Sequence, residues 1–395
     1  MRALFLTHTS PYPPVSGERI RNWSLMRALA EHGWRLALFS PAGGPPAPEI
    51  AELCDDVLLA DAEPGGITRA RRMLTSVARR RAFHASTYLD GPAAARLHAW
   101  PPLAAADVLV TSLFMYPYIP SSLRSRTVLD SHNVEAQRLA SMAAVLGRSP
   151  RGLAARLQVG PVATFEAEAA RSVARTLAVS DQERRIFESF APGRVDLGPN
   201  GVDADEHRFR ASPAAGREIL FVGSLDYGAN VDAIQYLVRA VAPRLRSPGA
   251  RFTVVGSNPG RAIRTAAARS SIAVDLRGQV PSVEEYFRRA RAFAVPLRFG
   301  GGTRLKILEA LARGVPVVTT TIGCEGLDLE AGEDLLVADD PVAFARSLDL
   351  LLADDDLCRR LAERGFRSVR ERYSWSSIGR AFREALTRVP LAQSD

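Results

Sequence analysis

Phe299-Gly300-Gly301-Gly302-Thr303-Arg304-Leu305-Lys306-Ile307-Leu308-Glu309-Ala310 is the stretch whose reading organises the chain. Three successive glycines let a backbone turn sharply and approach a ligand closely, and Thr303 then stands where an N-cap is needed for the helix traced by Leu305, Leu308 and Leu311. A helix opening on such a turn is an anion site, because its free N–H groups and the positive end of its dipole point at whatever lies over the glycines. Arg304 and Lys306 fall in that same turn, where a cation costs ~0.3–1 kcal/mol unless a negative group such as phosphate offsets it. Among 51 Lys plus Arg residues, Lys306 is the one lysine. Either it meets an anion, or it is a remnant in an Arg-rich chain that pairs with Glu309 three residues on for a few tenths of a kcal/mol.

Outward from this turn the pattern is α/β. An apolar run at 292–296 feeds the glycines and another at 315–319 follows the helix. Upstream, 218–222, 251–255 and 274–276 read as buried strands, each followed by a glycine-bearing loop: 223–228, 256–260, and Arg277-Gly278-Gln279. Helices are expected over 230–245, 341–352 and 354–371, with a short strand at 335–338 and a last helix from Tyr373-Ser374-Trp375 to about residue 388. The first half repeats this logic. A strand at 3–7 leads through a Pro-rich loop to Gly17 at the mouth of a helix over 19–32, Gly33 ends that helix, and 35–40 is the next strand. Further strands are expected at 108–112, 127–130 and 176–179, helical structure at 165–175, and a helix capped by Ser180. Gly198-Pro199-Asn200-Gly201-Val202-Asp203 breaks all periodicity, which puts a domain divide just after it.

A chain of 395 residues exceeds what one core usually supports, so two domains are expected. The net charge of +8 points to an anionic partner: a phosphorylated substrate, an acidic lipid or a nucleic acid. Cys54, Cys324 and Cys358 are too few and too scattered for a disulfide framework or a zinc site, which suits a reducing, cytoplasmic compartment. The opening Met1-Arg2-Ala3-Leu4-Phe5-Leu6 is too short an apolar run for a signal peptide or a membrane span and reads as the first strand. Residues 68–83 carry Arg69, Arg71, Arg72, Arg79, Arg80 and Arg81 around Met73, Leu74 and Val77. That is a basic amphipathic helix, of the kind that either rests peripherally on an anionic membrane at its inner face or is simply solvated.

Polar residues just past a strand's carboxyl end are where open α/β sheets place ligands, and Asp130-Ser131-His132-Asn133-Val134-Glu135 sits there. A structural role for His132 is the alternative. Asp203-Ala204-Asp205 has the spacing of a metal-binding pair but lies in the interdomain stretch, so no metal site is expected.

Two tandem sheets with glycine loops at strand ends look like a GT-B glycosyltransferase, two Rossmann-like domains facing a central cleft. Residues 299–318 with Gly323, Glu325-Gly326-Leu327, the Tyr373-Ser374-Trp375 ending and the Gly198 to Asp203 linker resemble the family 4 retaining glycosyltransferases. The Gly-Gly-Thr-Arg-Leu-Lys form is similar to bacterial exopolysaccharide and surface-glycan sugar transferases. The resemblance implies an N-terminal acceptor domain over 1–205, a nucleotide-sugar domain over 206–372, and a terminal helix over 373–395 that packs back on the first domain. It further implies that Glu309 binds the nucleotide's ribose, that His132 faces the donor sugar, and that Gly278 and Val280 flank the base. Gly17, Gly301, Gly302, Thr303 and Asn258 fall in donor-binding loops. Gly301 stands where the family has its first motif glutamate. Gly223-Ser224 stands for the usual Gly-Arg, and Asn230 lies near a second missing cation, which leaves Arg304 and Lys306 to neutralise the diphosphate.

The implied reaction is metal-independent transfer of a sugar, without a cofactor, from a nucleoside-diphosphate sugar to a sugar, lipid-linked or small-molecule acceptor; nucleic acid is not an expected partner. The alternatives are a non-catalytic nucleotide-sugar-binding protein and a sugar-nucleotide 2-epimerase of similar fold.

Overall fold

The computed structural model describes residues 1–390 except 62–65, 84, 86–87, 205–208, 211 and 300–303, and the backbone alone at 66, 67, 69 and 70. Two compact units are present: Met1–Asn200 with Trp375–Asp395, and Gly201–Ser374. The divide falls at 200/201, not 205/206, because Val202 bridges to Ser374 and its N–H bonds the Tyr373 carbonyl at 2.8 Å, which fastens the start of the linker to the end of the second unit.

In the first unit, β1 (Arg2–Leu6), β2 (Arg35–Ser40), β3 (Asp56–Leu59), β4 (Val108–Thr111), β5 (Thr127–Asp130), β6 (Arg175–Ala178) and β7 (Val195–Leu197) form one sheet in the order β3-β2-β1-β4-β5-β6-β7. All its described pairings are parallel, with Leu4 opposite Ala37 on one side and Leu109 on the other. A parallel sheet is covered on both faces, which is why β1 reads as an unbroken apolar run with Ala3, Leu4, Phe5 and Leu6 all buried. The order reverses between β1 and β4, so a crevice belongs at the carboxyl ends of those strands. One face carries the helix Gly17–Ala30 together with Trp375–Thr387, whose Ile378, Phe382 and Leu386 make the expected apolar stripe. Phe382 meets Phe5 with ring centroids 6.3 Å apart.

In the second unit, β8 (Glu218–Val222), β9 (Arg251–Val255), β10 (Ala273–Arg277), β11 (Ala292–Val295), β12 (Val317–Thr319) and β13 (Leu336–Val337) run parallel in the order β10-β9-β8-β11-β12-β13. The reversal lies between β8 and β11, the strands that precede the 223–228 loop and residues 296–304.

Several expected elements differ. Residues 165–172 close a 23-residue helix, Pro150–Ser172, while Arg175 already belongs to β6. The basic helix is Gly66–Ala78 and stops before Arg79, with Arg80 at φ 51, so its last three arginines are not on the helix face. The helix at 230–245 is regular over Gly228–Tyr236, then widens over Leu237–Val241 and tightens over Ala242–Arg244, where Pro243 has no N–H to continue the ladder. Among the described residues no helix is long and apolar enough to cross a membrane.

Candidate functional site

The second unit brings the ends of β8 and β11 and the start of the helix Leu305–Ala312 to its sheet reversal. β11 leads toward the glycine turn and the helix Leu305–Ala312 begins with Arg304 in the capping position; the expected cap Thr303, with Gly300, Gly301 and Gly302, lies outside the described residues. The Lys306 ammonium donates to Asn230 Oδ1 at 2.8 Å and stands 4.6 Å from the centre of the Phe221 ring. Asn230 Nδ2 donates to the Ser224 carbonyl at 2.9 Å, which holds the 223–228 loop against the lysine. Gly223 makes this possible: a Cβ there would come within 2.7 Å of Asn230 Nδ2 and 2.9 Å of Lys306 Nζ. Gly256 admits the Gly223 carbonyl in turn, for a side chain at 256 would overlap it. Lys306 therefore hydrogen-bonds an amide 76 residues back in the chain, in place of the Glu309 partnership considered from spacing.

Burial, and after it the nearby Arg304 charge, push the Lys306 ammonium down to about 7, with Glu309 opposing. Glu309 is moved the other way, up from the carboxylate range, chiefly by burial and then against the pull of Arg313. Arg304 itself is buried, its guanidinium donating to the Ile322 carbonyl at 3.2 Å. Ser224 Oγ donates to Asp226 at 2.5 Å, and Asn258, in a left-handed conformation at φ 56, reaches the same carboxylate at 3.4 Å. Those bonds, the Ser224 hydroxyl first, lower the Asp226 pKa. The Gly278 carbonyl accepts the Gly256 N–H at 3.3 Å and Val280 is half-buried. Lys306, Gly223, Ser224, Asn258 and Gly278 thus share one connected edge of this unit.

In the first unit His132 follows β5 directly, its side chain 15% exposed, with Nε2 donating to Asp130 Oδ2 at 3.3 Å. Asp130 is buried beneath it and receives Arg21 Nε at 2.8 Å and Arg21 Nη2 at 2.5 Å. Arg21 Nη1 donates to the Pro199 carbonyl at 2.9 Å and to Asn200 Oδ1 at 3.1 Å. Gly17 is the exposed first residue of the helix that carries Arg21, and Glu18 beside it accepts from His8 at 2.7 Å. Burial disfavours the Glu18 charge, but the His8 hydrogen bond and the neighbouring imidazoles outweigh it and its pKa falls. Burial likewise opposes both Asp130 and His132. Arg21 nonetheless carries the Asp130 carboxyl well below its usual range, and Asp130 raises the His132 imidazole.

Two buried acids and bases escaped the motif reading. Arg21 lies on the same stripe as Leu25 and Leu29, and Glu166 on that of Gln158, Val162 and Ala170; a charge at an apolar position was the available signal. Glu166 caps the helix Glu135–Leu146 from outside, accepting the N–H groups of Glu135 and Ala136 at 2.6 and 3.0 Å. Burial pushes it up to about 7, helped by the charges of Glu135 and Glu183. Of the Asp203 and Asp205 pair, Asp205 lies outside the described residues.

Two α/β units with parallel sheets define the GT-B class, and solved structures agree. Sucrose-phosphate synthase from Thermosynechococcus elongatus matches with a TM-score of 0.77 at 20% identity over 98% of both chains. Anabaena HepE, in complex with UDP and glucose, matches at 0.69 and 13% over 98% of this chain and 99% of that one. At these identities the likeness concerns the fold. By sequence, residues 16–206 match the family described as Glycosyltransferase Family 4, and residues 216–354 match Glycosyl transferases group 1. The chain belongs to the family 4 glycosyltransferases. Phosphatidyl-myo-inositol mannosyltransferase of Mycobacterium leprae is 29% identical over 216 residues, covering 51% of this chain and 56% of that protein. The chain spans about half the length of the curated relatives it matches.

Proposed function

We propose that the protein is a retaining glycosyltransferase that moves a sugar from a nucleoside-diphosphate sugar to an acceptor hydroxyl without a divalent metal. The observation that carries this reading is the Lys306 ammonium set in the Gly223 cradle at the reversal of the second sheet. Burial and the charge of Arg304 outweigh the pull of Glu309 on the Lys306 ammonium beside this helix start, and a diphosphate would offset both. HepE with UDP and glucose on the same fold, and a mannosyltransferase among the relatives, agree with a sugar-nucleotide donor.

In this scheme the acceptor oxygen attacks the anomeric carbon on the face that the diphosphate leaves. The C–O bond to phosphate breaks, the new glycosidic bond forms, and the acceptor's proton passes to the departing phosphate oxygen. Lys306, with Arg304 behind it, stabilises the charge that develops on that oxygen. Glu309 accepts the ribose hydroxyls, Gly278 and Val280 border the base, and His132 donates to a sugar oxygen. The test is a panel of UDP-, GDP-, ADP- and TDP-sugars with the product's anomeric configuration read by NMR, repeated in chelator. Inversion at the anomeric carbon would overturn the retaining assignment. A loss of more than about tenfold, restored by magnesium or manganese, would assign the leaving-group charge to a metal, since tenfold is about 1.4 kcal/mol of barrier.

A further inference from the structure

We propose that Arg21 and Asp130 are positioning residues for His132: the buried guanidinium fixes the carboxylate, and the carboxylate fixes the imidazole as a hydrogen-bond donor toward substrate. The substrate side of this inference rests on the glycosyltransferase reading; the placement of the ring does not.

The geometry is a chain of three side chains running from the interior to the surface. Arg21 is 1% exposed, Asp130 is 1% exposed, and the His132 side chain is 15% exposed. A buried arginine is costly unless it is paired and fully bonded, and this one spends its donors on a carboxylate, a backbone carbonyl and an amide oxygen. Its partners come from two places in the chain: Asp130 at the end of β5, and Pro199 and Asn200 where the first unit hands over to the second. Asp130 cannot turn away without stranding the guanidinium, so the oxygen it offers His132 is fixed in direction. Because Nε2 is taken by Asp130, Nδ1 is the ring nitrogen left to meet a ligand.

The charges facing the ring also agree. Asp130 from its own loop and Glu18 from the first turn of the helix Gly17–Ala30 favour the imidazolium, Arg21 one turn further along opposes it, and His8 stands behind Glu18. Burial works against the imidazolium, but the two carboxylates outweigh it and the guanidinium and raise the His132 pKa; in the protonated ring both nitrogens are donors. Structural pairing alone would need Arg21 and Asp130 but would give no reason for the carboxylate's second oxygen to reach the one partly exposed imidazole on that loop.

The experiment uses the full chain with 15N-labelled histidine. The six histidine rings are titrated by NMR, and the His132 signal is identified by its loss in His132→Gln. Asp130→Asn is expected to lower the His132 midpoint by more than one pH unit. It should also cut donor turnover, measured with UDP-glucose and GDP-mannose, by tenfold or more through kcat while KM for the donor stays within about threefold. In a His132→Gln background the same Asp130→Asn change is expected to cost less than about twofold, because the residue it positions is already gone. If Asp130→Asn does not fold with Arg21 left unpaired, Arg21→Gln/Asp130→Asn removes both charges and is read the same way. An unchanged His132 midpoint, or equal losses of turnover in the two backgrounds, would overturn the proposal. Absence of turnover with every donor would sink the enzyme reading alone, and the titration would still decide whether Asp130 holds the ring.

Discussion

Lys306 Nζ and Asn230 Oδ1 lie 2.8 Å apart although 76 residues separate them in the chain, and Gly223 leaves the space in which they meet. An amide oxygen is a weak partner for a half-buried ammonium, since it carries no charge to offset. In the proposed function a diphosphate completes the pairing. Lys306→Ala is then expected to lower kcat/KM by about ten- to a hundredfold, the loss of one charge-assisted contact of roughly 1.5–3 kcal/mol. Thermal stability should hardly move. Lys306→Arg is expected to be impaired too, because a planar guanidinium is wider than the cradle formed by Gly223, Asn230 and Phe221. Full activity in the Arg variant would show that the lone lysine carries no special function.

Gly223→Ala tests the cradle without removing a charge. Its Cβ would sit 2.7 Å from Asn230 Nδ2 and 2.9 Å from Lys306 Nζ, so the two side chains must part. Donor affinity is expected to fall about tenfold or more in calorimetry, while the protein stays folded because flexible side chains can give way. Gly256→Ala meets the Gly223 backbone instead, which has no such freedom, and is expected to lower the melting temperature.

Binding of a nucleoside-diphosphate sugar is expected to weaken as pH rises. Lys306 stands at about 7 in the free protein, chiefly through burial, so near neutrality it is only partly charged. A bound diphosphate favours the ammonium and raises its pKa, and binding therefore takes up a proton. Affinity is fullest below pH 7 and declines as pH climbs from 7 toward the pKa of the complex. Calorimetry in buffers of different ionisation enthalpy measures that proton directly. The uptake should vanish in Lys306→Ala, and a Kd that stays flat from pH 6 to 9 in the unaltered protein would reject the linkage.

The strand Ala292–Val295 and the helix Leu305–Ala312 are legible because their signals are local, an apolar run and a helical period; the glycines between them lie outside the described residues. The same holds for most of the strands in both sheets. What the sequence hides is a partner's identity when it lies far along the chain. Nothing near Lys306 announces Asn230, and nothing near Arg21 announces Asp130 or Asn200, since those pairings exist only once the strands are ordered. Short elements escape for a related reason. The strand Val195–Leu197 and the helix Pro101–Ala105 are too brief to show a period, and are ordered by the neighbours they pack on. The basic helix ends early because Arg79, Arg80 and Arg81 extend the charge pattern without extending the apolar stripe.

Phe382→Ala is expected to destabilise the first unit by about 3–5 kcal/mol, the range for emptying a buried aromatic site. Phe382 is 1% exposed and packs on Phe5, so a melt followed through the first unit should shift more than one followed through the second. Equal shifts would mean that the two units unfold as one.

That contact also sets an order of events at the ribosome. Gly201–Ser374 is contiguous, and each of its strands finds its neighbours within the segment itself. Met1–Asn200 emerges first yet lacks the helix Trp375–Thr387 that covers Leu25, Leu29 and Phe5. At about 5–20 residues per second, the intervening segment takes roughly 10–35 s to make, during which that apolar face has no cover. The part of the chain born first is therefore finished last, its apolar face closed only when Trp375–Thr387 has been made.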